Sequence, residues 1–150
     1  IRDRYEGYDL SIFMQGVART SFFINPNDIS PFVNERNALN VIADNHWSIN
    51  NPDPNAFWPR LSTYSIANNE QQSTWWQRDG DFLRLKNIEI GYTFPDRESG
   101  LFSGLNTRIY FTGLNLLTYS KFDLWDTEMG GNGLGYPPQK VYNIGLQVNF

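Results

Sequence analysis

The chain has no cysteine and a single histidine, His46. That count excludes disulfides, thiolate metal sites and paired-histidine sites. Positive charge is scarce as well. Twelve Lys and Arg stand against sixteen Asp and Glu, a net charge of −4, whereas nucleic acid calls for a clustered basic face. Charged residues total 19%, below the usual share of about 25%. No run approaches the roughly 18 apolar residues of a membrane-crossing helix. The chain opens on IRDRYEGYDL, without a leader pattern or a methionine, which we take as a sign that something precedes residue 1. What is abundant is Asn, Ser, Thr, Gln and Gly, with aromatics at 16% of 150 residues. That length suffices for a domain with its own core.

Against this polar background, four segments alternate with period two. The chain ends KVYNIGLQVNF, where Tyr142, Ile144, Leu146, Val148 and Phe150 alternate with Asn143, Gly145, Gln147 and Asn149. Earlier, Tyr8, Leu10, Ile12 and Met14 oppose Asp9, Ser11 and Gln15. In FLRLKNIEIGYTF, Ile88, Ile90, Tyr92 and Phe94 oppose Asn87, Glu89, Gly91 and Thr93. In LNTRIYFTGLNLL, Leu105, Thr107, Ile109 and Phe111 oppose Asn106, Arg108, Tyr110 and Thr112. The parity changes after Gly113, as a bulge there would produce. The expected strands cover about 8–18, 82–94, 105–117 and 140–150. They are twice the length of an average soluble strand, about five or six residues, and match the roughly 9–11 residues of a strand that crosses a bilayer.

The connections are unequal. A short link, PDRESGLFSG, joins the second and third strands, while long polar loops occupy about 20–80 and 119–139. Outer-membrane barrels have short periplasmic turns and long extracellular loops, and an alternating up-down path puts each connection on its required side. Tyr8, Phe94 and Phe150 then lie at the periplasmic ends, with Tyr119 and Tyr136 at the opposite rim, as aromatic girdles do. Within the first loop, NERNALNVIADNHW has the pattern of a short helix with Leu39, Ile42 and Ala43 on one side.

Several segments carry a family pattern: YEGYDLSIFMQG (5–16), HWSINNPDPNAFWPRLS (46–62), DGDFLRLKNIEIGYTFP (79–95), RIYFTGLNLLTYSKF (108–122) and YPPQKVYNIGLQVNF (136–150). Together they resemble the C-terminal end of SusC/RagA-type TonB-linked outer-membrane transporters. The resemblance implies an all-β fold, four long antiparallel strands of a plugged transmembrane barrel of roughly 22 strands. Residues 1–150 would be its C-terminal portion, with the plug and most of the barrel absent. It also implies import of oligosaccharides or peptides across a bacterial outer membrane. The implied partners are a SusD-like surface lipoprotein, TonB acting through the missing N-terminal region, and outer-membrane lipids. Tyr142, Ile144, Leu146, Val148 and Phe150 resemble the signal read by the barrel-assembly machinery.

No enzyme signature, cofactor motif or metal site emerges. His46 has no evident partner. Asp123, Asp126 and Glu128 lack the ligand spacing of a calcium loop, and GGNGLG (130–135) lacks the Lys-Ser/Thr of a phosphate loop and reads as a flexible loop. Binding is the stronger local expectation. Trp47, Trp58, Trp75, Trp76 and Trp125 all fall in or beside the loops, as candidates for contact with cargo or lipoprotein. Asn87, Glu89, Arg108, Tyr110, Asn143 and Gln147 share the parity of a barrel lumen or plug contact. Arg84 and Lys86 fall on the lipid-facing parity, where long basic side chains snorkel to headgroups. The competing reading is a soluble β-sheet carbohydrate-binding module with exposed tryptophans.

Overall fold

The computed structural model describes residues 2–95, 104 and 106–149. Phe150, Leu105 and most of the short link after Pro95 lie outside the described residues. Two compact units emerge, one from residues 1–19, 81–121 and 137–150, the other from 20–80 and 122–136.

The first unit is a five-stranded antiparallel sheet. Its strands are β1 (Arg2–Tyr5), β2 (Tyr8–Val17), β5 (Phe82–Thr93), β6 (Asn106–Ser120) and β7 (Val141–Asn149), paired in that order. β1 was not visible in the sequence pattern. It exists because Glu6 and Gly7, at φ of 46° and 88°, close a two-residue hairpin of the kind that matches strand twist. A side chain at Gly7 would also fall 2.7 Å from the Thr93 carbonyl oxygen.

Register aligns the parities of all four long strands. Leu10, Ile90, Phe111 and Ile144 form one row, flanked by Tyr8, Tyr92, Ile109 and Leu146. The alternate rows are Ser11, Glu89, Thr112 and Asn143, then Asp9, Gly91, Tyr110 and Gly145. One face is therefore apolar and the other polar, because neighbouring side chains point to opposite sides. At one end Tyr8, Tyr92 and Phe94 stack at 4.6 and 5.1 Å between ring centres.

The parity change falls two residues beyond Gly113. Leu85 pairs with Leu117 but Asn87 pairs with Leu114, so Lys86 on β5 opposes Asn115 and Leu116 on β6. Asn115 adopts φ of 52°, a left-handed conformation that Asn tolerates. The irregularity also corrects the placement of Arg84. Beyond it Leu85 pairs with Met14 and Arg84 with Gln15, so Leu83 and Leu85 continue the apolar face and Arg84 moves to the polar one. There it is buried, with its guanidinium 5.6 Å from the Phe82 ring centre.

The second unit contains a two-stranded ribbon of β3 (Ser21–Phe23) and β4 (Gln77–Asp79) with three single-turn helices, α1 (Pro26–Ile29), α2 (Asn40–Asp44) and α3 (Ala67–Glu70). α1 starts where it does because the Asn25 side chain accepts the Asn27 amide and Pro26 presets the first turn. α2 is the short helix expected from sequence, and its Ile42 is wholly buried. Around Ile42 pack Ile24, Ile29, Phe57, Trp58, Trp76 and Phe122.

Burial divides the units sharply. Every buried hydrophobic residue among those described belongs to the second unit. In the sheet, the buried residues other than glycine are Asp9, Arg84 and Thr107, while Leu10, Ile90, Ile109, Tyr142, Ile144 and Leu146 are exposed.

Candidate functional site

The polar face of the sheet is organised around Arg108. From β6 its side chain passes over Gly91 of β5 and reaches Asp9 of β2, two strands away. Nε donates to Asp9 Oδ1 at 2.9 Å and Nη2 to Asp9 Oδ2 at 2.5 Å, the paired geometry that a planar guanidinium favours. Nη2 also donates to Glu89 Oε1 at 2.7 Å. The guanidinium lies 5.0 Å from the Tyr110 ring centre. Gly91 is what makes the crossing possible, since a Cβ there would fall 2.7 Å from both Arg108 Nε and Asp9 Oδ1. Gly145 does the same for Tyr110, whose phenol ring occupies the space of the missing side chain. Asp9 is 5% exposed and Arg108 17%, so this ion pair is largely removed from solvent. Two carboxylates, Asp9 and Glu89, thus converge on the Arg108 guanidinium.

All six residues expected on the lumen parity share this face: Asn87, Glu89, Arg108, Tyr110, Asn143 and Gln147. Asn143 donates to Thr112 Oγ1 at 3.3 Å, and Gln147 sits opposite Arg108. Asp9 was the omission. Its parity was legible, but its pairing with a residue 99 positions away depends on register across three strands. On the opposite face Tyr142, Ile144, Leu146 and Val148 are exposed along β7, an edge strand of the described sheet whose polar-face Asn143 and Gln147 are exposed as well.

In the second unit the tryptophans separate into two groups. Trp58 and Trp76 are 3% and 1% exposed, with rings 5.0 Å apart. Trp76 Nε1 donates to the Asn69 carbonyl at 3.0 Å. These two pack in the core with Ile24, Ile42 and Phe122, and Trp58 also lines a small recess beside Arg60 and Tyr64. Trp75 and Trp125 are partly buried against the same core, and Trp47 is half-buried.

The glycine-rich loop is a packed element and not the flexible loop expected. Asn25 donates to the Gly131 carbonyl at 3.0 Å, and a Cβ on Gly131 would collide with the Phe23 carbonyl. Trp125 lies on Gly133 and donates to the Gly130 carbonyl at 2.8 Å. Asp126 caps a short turn by accepting the Glu128 amide, and His46 Nδ1 sits 2.9 Å from the Ala43 carbonyl. Both carry local structure. No metal-sized group of His, Asp and Glu occurs among the described residues.

This arrangement, with its burial reversed in the sheet, has relatives. TonB-dependent receptor P26 of Formosa agariphila is 28% identical across 97% of the chain, and TonB-dependent receptor P3 of the same organism is 26% identical across 98%. The chain is thus similar to TonB-dependent receptors over nearly its whole length. It spans 16% and 15% of the length of those two proteins. No protein-family model matches. Among solved structures, the RagAB peptide transporter superposes over 98% of the chain with a TM-score of 0.69 at 24% identity, covering 16% of that chain. The RagAB peptide importer in its open-open state gives 0.66 at 22% over 97%. The fold is thus an antiparallel segment of a RagA-type barrel. The similar proteins are named receptors and the structural neighbours peptide transporters.

The polar face offers binding and positioning chemistry. The Arg108 guanidinium is held by two carboxylates, so the cluster ties β2, β5 and β6 together.

Proposed function

We propose that the chain is the C-terminal part of the barrel of a TonB-dependent importer in a bacterial outer membrane. The observation that carries this is the reversed burial of the sheet, with apolar rows outward and Asp9, Arg84 and Arg108 withdrawn. In water such a surface is an aggregation liability; against lipid it is the required one, with a polar lumen behind it. Strands of 10, 12, 15 and 9 residues suit the roughly 9–11 of a tilted crossing. The soluble carbohydrate-module reading loses its support, because two of its five tryptophans are core and the sheet lacks an apolar interior.

In this reading Asn87, Glu89, Arg108, Tyr110, Asn143 and Gln147 line the lumen or meet the plug. Tyr142 to Phe150 present the assembly signal, and Trp47, Trp75 and Trp125 remain the candidates for contact with cargo or a SusD-like lipoprotein. TonB acts through the region outside this chain, and the cargo is oligosaccharide or peptide. The test is fractionation of the full-length protein that contains the chain. Flotation with outer membranes and a heat-modifiable gel band are expected; recovery as a soluble monomer would overturn the proposal.

A further inference from the structure

A cleft of about 510 Å³ opens in the second unit between Phe32 and the segment 60–66. Its wall combines one cation, Arg60, with the apolar side chains of Phe32, Leu61, Tyr64 and Ile66. A narrower recess, floored by the buried Trp58, adjoins it and shares Arg60, Ser62 and Tyr64.

Three features indicate a built site. Arg60 is exposed and makes no hydrogen bond or ion pair with any described residue; the nearby carboxylate that could have neutralised it, Glu70, accepts instead from Ser65 at 2.8 Å and Ser30 at 3.4 Å. Phe32 adopts φ of 62° and ψ of −3°, a left-handed conformation that costs a bulky residue of the order of 1–3 kcal/mol, and its ring nevertheless stands exposed at the cleft mouth. Tyr64 is held opposite by a turn in which its amide donates to Ser62 Oγ at 3.2 Å, and its ring too is exposed. Strain retained to hold an aromatic ring in water is characteristic of binding sites.

We infer that this cleft binds the C-terminal end of a short peptide, with Arg60 taking the carboxylate and Phe32, Tyr64 and Ile66 enclosing a large apolar last side chain. Capture of a terminal carboxylate is a recurring mode of peptide recognition, and a volume of this order suits a ligand of a few residues. A neutral glycan fits less well. Its hydroxyls call for side-chain amides or carboxylates, and the residues lining the larger cleft include neither, their polar groups being those of Arg60, Ser62, Thr63 and the Tyr64 hydroxyl. The inference narrows the cargo within the importer reading, yet it can be tested without transport.

The test is equilibrium binding to the full-length protein in detergent, without TonB or lipoprotein. The probes are acetyl-Gly-Gly-Phe as the free acid and as the carboxamide, with a glucuronate-ended and a neutral disaccharide beside them. The free acid is expected to bind about tenfold to a hundredfold tighter than the amide, the range for one charge-assisted hydrogen-bonded contact. Arg60→Ala should erase that preference, Arg60→Lys should keep part of it, and Tyr64→Ala should weaken both peptides alike. Both positions are exposed, and unchanged heat-modifiable mobility confirms that the variants fold. Equal binding of acid and amide, a preference that survives Arg60→Ala, or a preference confined to the glucuronate pair would each overturn the inference. Failure to float with outer membranes would sink the importer reading and leave this binding result standing.

Discussion

Replacing Gly91 with alanine adds one methyl group to the centre of the sheet, and the structure fixes both the sign and the reason. The new Cβ would stand 2.7 Å from Arg108 Nε and from Asp9 Oδ1, well inside van der Waals contact. A flexible arginine tip would normally swing aside at little cost, but this one is held by Asp9 and Glu89 at 2.5–2.9 Å. Making room therefore means opening the Arg108–Asp9 pair while Asp9 stays withdrawn from water. Removing one partner of a buried pair costs roughly 3–5 kcal/mol. Here the partner is displaced and keeps Glu89, so about 1–3 kcal/mol is expected. In an Arg108→Ala background the guanidinium is gone, and the Asp9 carboxylate, still 2.7 Å from the new Cβ but released from the arginine, can give way. Gly91→Ala should then turn slightly stabilising, because glycine inside a strand is roughly 0.5–1 kcal/mol worse than alanine. The assay is urea unfolding of the full-length protein in detergent, with folded fraction read by gel mobility, for wild type, both single variants and the double variant. A sign reversal between backgrounds confirms that the glycine exists to let the arginine cross. The same penalty in both backgrounds would refute the reasoning and locate the cost in the backbone.

Further consequences can be checked in the same preparation. Ile144→Arg, on the apolar row and 79% exposed, should destabilise the membrane-inserted form by about 2–4 kcal/mol if it lies near the bilayer midplane. Asn143→Arg, one residue away on the polar face, should change it by less than about 1 kcal/mol, and equal effects at both positions would contradict the two-faced sheet. Trp76→Ala should cost the second unit about 3–5 kcal/mol, seen as new tryptic cleavage within 20–80; an unchanged digest would show that Trp76 is not core. Gly131→Ala should break the Asn25–Gly131 hydrogen bond and push on the Phe23 carbonyl, a loss of about 1–3 kcal/mol read as faster amide exchange at Asn25.

How far the sequence reached depends on the range of each interaction. Alternation is local, so the long strands, their two faces and the six polar-face residues were legible from period two alone. The β1 hairpin was not, because Glu6–Gly7 is a weak turn signal beside Asn-Gly or Asp-Gly. The side assigned to Arg84 failed for a sharper reason. A single inserted residue reverses every side chain beyond it, and nothing around Lys86 announces the insertion. The pattern points to a bulge at Gly113, the residue that looks permissive, whereas the chain places the left-handed conformation at Asn115. Trp58 and Trp76 could not be told from exposed tryptophans, since their burial depends on Ile24, Ile42 and Phe122, which are distant in sequence.

A mean hydropathy of −0.50 looks wrong for strands proposed to face lipid, and the arrangement of the chain explains why it is not. In a barrel wall only alternate residues meet the membrane, so each strand contributes apolar and polar side chains in equal number. Roughly half the chain is not wall at all. Residues 20–80 and 122–136 form a unit that follows the ordinary aqueous rule, apolar inside and polar outside. The sheet follows the inverse rule. Averaged over one chain, the two rules cancel, and overall composition is blind to both. What separates them is whether the exposed apolar residues fall in register across neighbouring strands. Leu10, Ile90, Phe111 and Ile144 do so on four strands at once, which scattered surface apolar residues of a soluble sheet have no reason to do.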